Sequence, residues 1–355
     1  MDDFLIIGGG IAGTSAGARL ATLGRVTLLE AETALGYHAS GRSAALFEPY
    51  YGLAPTVALS LASAEFLEAA GVLSPRGLMF VASAEEEEQF AHDIAGMALE
   101  EIGPEAACAR VPVLDPARIT RAAWHADAWD VDTDRLIQDF AREIRANGRV
   151  VTGARVTAIR RTGGGWEVEA KGETHAARVL VDAAGAWADE IARMAGIAPL
   201  GLTPKRRSMA RVAAPDGHDP KGWPMILGAG ESWYMKPDAG ALLISPADAT
   251  PVEPHDAWAD DMTLAEGIAG WEEHVTTPVT RMLANWAGLR TFSPDGNLVI
   301  GPSPQDPAFL WFAAQGGYGF QTAPAASQLL ADLHAGRAPA LDPATVAALS
   351  PSRYG

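Results

Sequence analysis

The sequence predicts an α/β chain, α+β in detail, in which a Rossmann-like part is interrupted by a mostly antiparallel sheet. Three observations predict it. The apolar run Phe4–Ile7 stops at Gly8-x-Gly10-x-x-Gly13 and leads into a helix-like segment, the pattern of a strand, a tight turn and a helix N-terminus. A second apolar run, Val26–Leu29, ends at an acid, Glu30. Residues 200–286 then change character, to short strand patterns separated by frequent prolines, before glycine-rich turns return near the C-terminus.

In the opening motif each glycine has a separate task. Gly8 permits the turn, Gly10 lets backbone approach a pyrophosphate, and Gly13 lets the helix pack close to the strand. Ala12, inside the motif, and Ala31, after the acid, complete the cradle. Glu30 is spaced to accept hydrogen bonds from both hydroxyls of a ribose. An acid there argues against NADP and leaves NAD and FAD open. A glycine-rich turn in an ordinary βαβ unit is the alternative at this point.

Composition narrows the partners. With 355 residues, 48% hydrophobic and 20% charged, the chain can bury one large core or two moderate ones, and two domains are expected. A net charge of −17, from 44 acids against 27 bases, repels nucleic acid and anionic membrane surfaces. A single cysteine, Cys108, allows no internal disulfide and no thiolate metal cluster, so no metal site is expected. The first strand begins at Phe4, and no apolar run reaches the roughly 18 residues of a membrane span, so the expectation is a soluble cytoplasmic protein.

Along the chain, residues 31–52 form a long loop rich in small side chains. A helix is expected over Thr56–Ala70 with Gly71 as its stop, then a strand over Gly77–Ala82 and an acidic amphipathic helix over Glu85–Ile102. Asp132 or Thr133 caps a helix that stops at Asn147-Gly148. Runs at Val150–Ile159, Trp166–Ala170 and His175–Val181 form a meander feeding a buried strand, after which Ala184 and Gly185 let a ligand come close. Strands around Arg206–Val212, Ile226, Tyr234 and Ala241–Ser245, and an acidic helix near Asp260–Trp271, fill the interrupting part. The strand patterns GLRTFSPDGNLVIG and LWFAAQ and a helix over Thr322–Ala335 close the chain. The expected division is a discontinuous nucleotide domain of 1–76, 132–199 and 287–355, with a substrate domain of 77–131 and 200–286.

The loop GYHASGRSAA, the segments VDAAGAWAD and GLRTFSPDG, and the C-terminal AAQGGYGFQTAP carry a family resemblance. Together with the opening motif, PKRRS, WYMKPDAG and the closing LSPSR, the chain resembles the D-amino acid oxidase superfamily of FAD enzymes nearly end to end. Within it, the nearest pattern is that of bacterial D-arginine dehydrogenases. The resemblance implies non-covalent FAD. Its ribose would meet Glu30 and its adenine the main chain of Val156, while Ser40, Gly41, Arg42, Ser43 and Ala44 would wrap the pyrophosphate and flavin edge. Gly316, Gly317, Tyr318, Gly319 and Gln321 would bring backbone N–H groups and a helix N-terminus to the flavin, with Gln321 and Thr322 as caps.

For the chemistry, the resemblance implies hydride transfer from the Cα of a D-amino acid to flavin N5, giving an imino acid that hydrolyses to a 2-oxo acid and ammonia. Arg290 matches the family's carboxylate anchor, and its planar fork suits bidentate binding. Tyr234, Tyr51, Arg207 and Gly317 complete the expected catalytic group. Strand alternation lets only one of Arg206 and Arg207 point inward. No obligatory base is expected, and His38 reads as a loop histidine holding backbone. One departure bears on specificity. Leu78 stands where the D-arginine enzymes carry an acid, and Leu46 where they carry a histidine, which points to neutral or apolar side chains over arginine. Glu48 could restore an acidic partner if it turns inward. Oxidation of N-alkyl or secondary amino acids of sarcosine or opine type is an alternative, as are a 2-hydroxy acid substrate and a non-catalytic FAD-binding electron-transfer subunit. The exact amino acid, the electron acceptor and the oligomeric state are left open.

Overall fold

The computed structural model describes residues 1–95 and 97–354. Its first sheet has eight strands. Asp2–Ile7 lies between Val26–Leu29 and Glu173–Asp182, parallel to both, and Gly148–Val151 adds a further parallel strand beyond Val26–Leu29. The N-terminal half of Glu173–Asp182 pairs with the antiparallel hairpin Val156–Thr162 and Gly165–Ala170. Its C-terminal end pairs in parallel with Phe309–Ala313, which in turn carries Val299–Pro302.

Alternation along the first strand explains why it sits at the centre. Phe4 and Ile6 enter one apolar cluster with Ala16, Leu20, Leu329 and Leu330, whereas Leu5 and Ile7 enter another with Trp166, Ile191 and Trp311. Helices Ile11–Leu20 and Gly319–Ala335 supply the first of these layers, and Ala188–Met194 contributes to the second. The C-terminal ends of the parallel strands therefore open together, at Gly8, Glu30 and Ala183, which is where ligands bind in sheets of this kind.

The second sheet has nine strands, and only one of its pairings, Met225–Gly228 with Leu78–Ala82, is parallel. Its longest pairing joins Thr203–Ala213 to Met282–Phe292. Three short strands, Leu46–Phe47, Trp129–Val131 and Leu73–Pro75, make a third sheet. The α/β architecture with a mostly antiparallel second sheet is the one the sequence predicts.

Several local expectations change. The acidic helix is Glu87–Ile94 only; Ala95 is extended at ψ 121°, and Glu100–Ile102 is a strand paired with Arg121–His125, because an available sheet edge outweighs local helix preference. Gly96, inside the expected helix, lies outside the described residues. The run Val150–Ile159 divides into Gly148–Val151 and Val156–Thr162, since each pairs with a different strand. The closing helix begins at Gly319 rather than Thr322, with Tyr318 at its N-cap. Gln321 and Thr322 therefore lie in its first turn and are not caps. Met282–Phe292 belongs wholly to the second sheet, so a boundary at 287 would run through one strand. Asp132 does cap its helix, accepting from the Arg135 N–H at 3.1 Å.

Candidate active site

Two adjoining cavities occupy the crevice between the large sheets, sharing Gly10, Ser40, Arg42, Ala183 and Gly185 in their walls. Gly8, Glu30, Ala31, Val156 and Ala184 line the first. Gly8 has φ +109°, and a Cβ there would lie 2.3 Å from the Ala183 carbonyl oxygen. A Cβ at Gly13 would come within 1.9 Å of the Gly8 oxygen, so Gly13 serves packing and lines neither cavity, whereas Gly8, Gly10 and Ala12 do line them. The helix at Ile11 starts with no side-chain cap from Gly10, leaving N–H groups aimed at the crevice. The Glu30 carboxylate accepts the Gly9 N–H at 2.5 Å and the Glu32 N–H at 2.7 Å. Burial pushes the Glu30 carboxyl up, and these two N–H groups only partly offset it. A carboxylate offers about four acceptor sites, so two stay available to a ligand.

The loop expected to wrap a pyrophosphate behaves unevenly. Ser40, Ser43 and Ala44 line the flavin-side cavity, with Ser40 Oγ accepting the Ile11 N–H at 3.0 Å. Gly41 does not line either cavity; its N–H donates to the Gly36 oxygen at 2.6 Å, and a Cβ would meet that oxygen at 2.4 Å. Arg42 borders both cavities, but its guanidinium is committed to the carbonyls of Ala257 and Ala287 and to Asp256, which ties the loop to the second sheet. His38 meets Glu32 at 3.2 Å instead of holding backbone.

At the other end, Arg290 and Arg207 share one face of an antiparallel pair, Arg290 opposite Lys205 and Arg207 opposite Gly288. Alternation decides between the adjacent arginines as expected: Arg207 lines the cavity, while Arg206 Nε meets Asp248 at 3.2 Å. Burial lowers the Arg207 pKa, and the Arg290 charge lowers it further. Asp295 does not pair with Arg290; Arg353 and Tyr354 hold it. The guanidinium of Arg290 lies against Gly317, whose Cβ, if present, would sit 3.1 Å from Nη1. Gly316, Gly319 and Gln321 line the same wall, but Tyr318 does not, packing instead on Tyr51 at 5.5 Å between ring centroids. Tyr234 is buried, its ring centroid 5.9 Å from Arg207 Cζ.

Further side chains complete the wall, among them Glu231, Phe80, Met97, Met225 and Leu227, which sequence reasoning did not single out. Glu231 accepts the Tyr51 hydroxyl at 2.9 Å, and burial followed by this acid pushes the Tyr51 pKa up. Glu48 faces inward, and His125 Nε2 lies 2.7 Å from its Oε2. Leu46, Leu78, Phe80, Met97, Met225 and Leu227 make an apolar surface. No local motif marks Glu231 or His125, because their places depend on contacts across the second sheet and its loops.

An elongated crevice with a helix N-terminus and a buried acid at one end fits a dinucleotide. Five buried lining atoms, Glu48 Oε2, Tyr234 Oη, Arg207 Nε, Thr291 Oγ1 and Gln315 Nε2, make no hydrogen bond within the protein, and the last four fit a ligand that brings polar atoms of its own. Fold and site thus define the class of dinucleotide-dependent oxidoreductases with a two-ended cleft. Residues 3–333 match the model of the DAO family, FAD dependent oxidoreductase, and the chain belongs to that family; its cofactor is FAD. It is 30% identical to a glycine oxidase of Pseudomonas aeruginosa over 97% of both chains. The fold is similar to the crystal structure of glycine oxidase from Geobacillus kaustophilus, with a TM-score of 0.82, 24% identity and 97% of each chain covered. A likeness to D-amino acid dehydrogenase 2 of Ralstonia nicotianae is 49% over 59 residues, 16% of this chain and 13% of that one. The expected proximity to D-arginine dehydrogenases is therefore corrected: the full-length likeness is to glycine oxidase.

Proposed function

We propose that this protein oxidises neutral α-amino acids at Cα, D-configured and with apolar side chains, to imino acids that water converts to 2-oxo acids and ammonia. The observation that carries the reading is the Arg290–Arg207 pair on one strand face beside the apolar wall. A carboxylate is the ligand such a pair favours, bound through charge-assisted hydrogen bonds with Arg290 first and the Tyr234 hydroxyl as a further donor. The same two cations disfavour a third positive charge, so they bias a bound α-ammonium toward losing its proton to solvent before oxidation. Leu46, Leu78 and Phe80 exclude water and receive the side chain, where burying a Leu-sized group contributes about 1.5–3 kcal/mol. Glu231 holds the Tyr51 loop across the cavity. FAD, when bound, supplies the two-electron acceptor for the Cα hydrogen. Glu30, Val156, the Gly8–Gly13 turn and the Gly316–Gln321 turn would hold it non-covalently. The single, half-buried Cys108 fits a reducing compartment such as the cytoplasm.

The full-length likeness to a glycine oxidase favours a second reading, in which the substrate is glycine or an N-substituted glycine and the apolar wall receives the N-substituent. Anaerobic mixing of the FAD-loaded protein with D-methionine, D-leucine, D-phenylalanine, D-arginine, glycine and sarcosine separates the readings. Bleaching of the oxidised flavin fastest by the apolar D-amino acids supports the first, and fastest by glycine or sarcosine the second. No bleaching by any amine would leave an electron-transfer or assembly subunit, and D-arginine far ahead of the rest would remove the apolar pocket.

A further inference from the structure

The apolar end of the cavity contains a carboxylate that the proposed substrate does not need. Leu46 and Glu48 point into the cavity from the same side of their strand, while Phe47 between them packs inward on Trp129. Glu48 is only 3% exposed. Its Oε1 accepts the Tyr50 N–H at 3.2 Å, and its Oε2 faces His125 at 2.7 Å. His125 is 9% exposed and stands directly across the strand pair from Leu78, another wall residue. Directly opposed residues share a sheet face, so His125 reaches Glu48 from the face of the second sheet that carries Leu78.

A buried carboxylate beside apolar carbon costs several kcal/mol unless it is paired, and unpaired it recruits a cation. We infer that His125 is a specificity-determining residue: standing 2.7 Å from Glu48 Oε2, it occupies the place a cationic side chain would take, so this end of the pocket accepts neutral side chains and rejects guanidinium and ammonium groups. This rests on the amino acid reading above and deepens it. The acid that would select a cationic side chain is present, and His125 occupies it.

The test compares His125→Gln, which keeps an N–H donor but cannot take up a proton, with the double variant Glu48→Gln/His125→Gln. FAD loading and the D-arginine to D-methionine ratio of apparent affinity are read from the flavin spectrum, by bleaching or perturbation. His125→Gln is expected to raise that ratio on the order of tenfold or more, because the Glu48 carboxyl is left without its partner, and the double variant to return it to the parent value. A His125→Gln protein that fails to load FAD while the double variant loads it also supports the inference, since only an unpaired Glu48 separates them. The inference is overturned by an unchanged ratio in a loaded His125→Gln protein, by an equal rise in both variants, or by equal loss of FAD from both. A parent protein that responds to neither amino acid rejects the amino acid reading and the inference with it. Response to D-methionine with no change of ratio rejects the inference alone.

Discussion

Gly317 shows how little space separates the cofactor turn from the substrate anchor. A methyl group there would stand 3.1 Å from Arg290 Nη1 and 3.3 Å from Cζ, so the guanidinium would have to yield by a few tenths of an ångström. Gly317→Ala is therefore expected to raise substrate KM several-fold while FAD stays bound, measured by steady-state kinetics beside the flavin absorbance. Arg290→Met removes the charge-assisted bonds themselves, worth about 1.5–3 kcal/mol, and should raise KM roughly ten- to hundredfold without releasing FAD. Unchanged kinetics would remove Arg290 from the site. Alternation, a local property of a strand, required that only one of Arg206 and Arg207 face the cavity but left open which one. The place of Arg42 was not legible, since its partners Ala257 and Ala287 come from another part of the chain.

At the scale of elements, the strand Met282–Phe292 and the turn after it hold the anchor in place. Asp295, in that turn, is pushed up by burial, but Arg353, Tyr354, Ser293 and the Asn297 N–H together hold its carboxyl well below the usual range. A depressed carboxyl contributes stability above its ordinary value of 3.8 that is lost as pH falls through and below it. Asp295→Asn should therefore lower Tm at pH 7 and flatten the fall of Tm below about pH 4, followed by circular dichroism. A mutant with the parent's acid limb would show that the cluster is not formed. The cap at Asp132 makes a separate claim: Asp132→Ala should cost about 1 kcal/mol by denaturant melt. That cap could be read from the sequence because capping is local. The shortened helix Glu87–Ile94 could not, because the strand that follows it exists only through its pairing with Arg121–His125.

For the molecule as a whole, the crevice between two sheets makes cofactor binding a linkage to stability. The residues proposed to hold FAD come from both ends of the chain, so FAD would bind the folded state alone. At a hundredfold excess over Kd it should add about 2.7 kcal/mol and raise Tm by several degrees, while removal lowers it. A Tm independent of FAD would contradict a site built from both termini. The sequence by itself determined the nucleotide cradle, the two-sheet architecture and the alternation along the arginine strand, because turn glycines and side-chain periodicity act over a few residues. Tertiary structure alone decided that Glu48 meets His125, that Tyr51 meets Glu231, that the Arg42 guanidinium is tied to Ala257 and Ala287, and that Gly41 packs on Gly36. Most of those contacts join residues far apart in sequence, and burial and charge pairing at that range leave no local pattern to read.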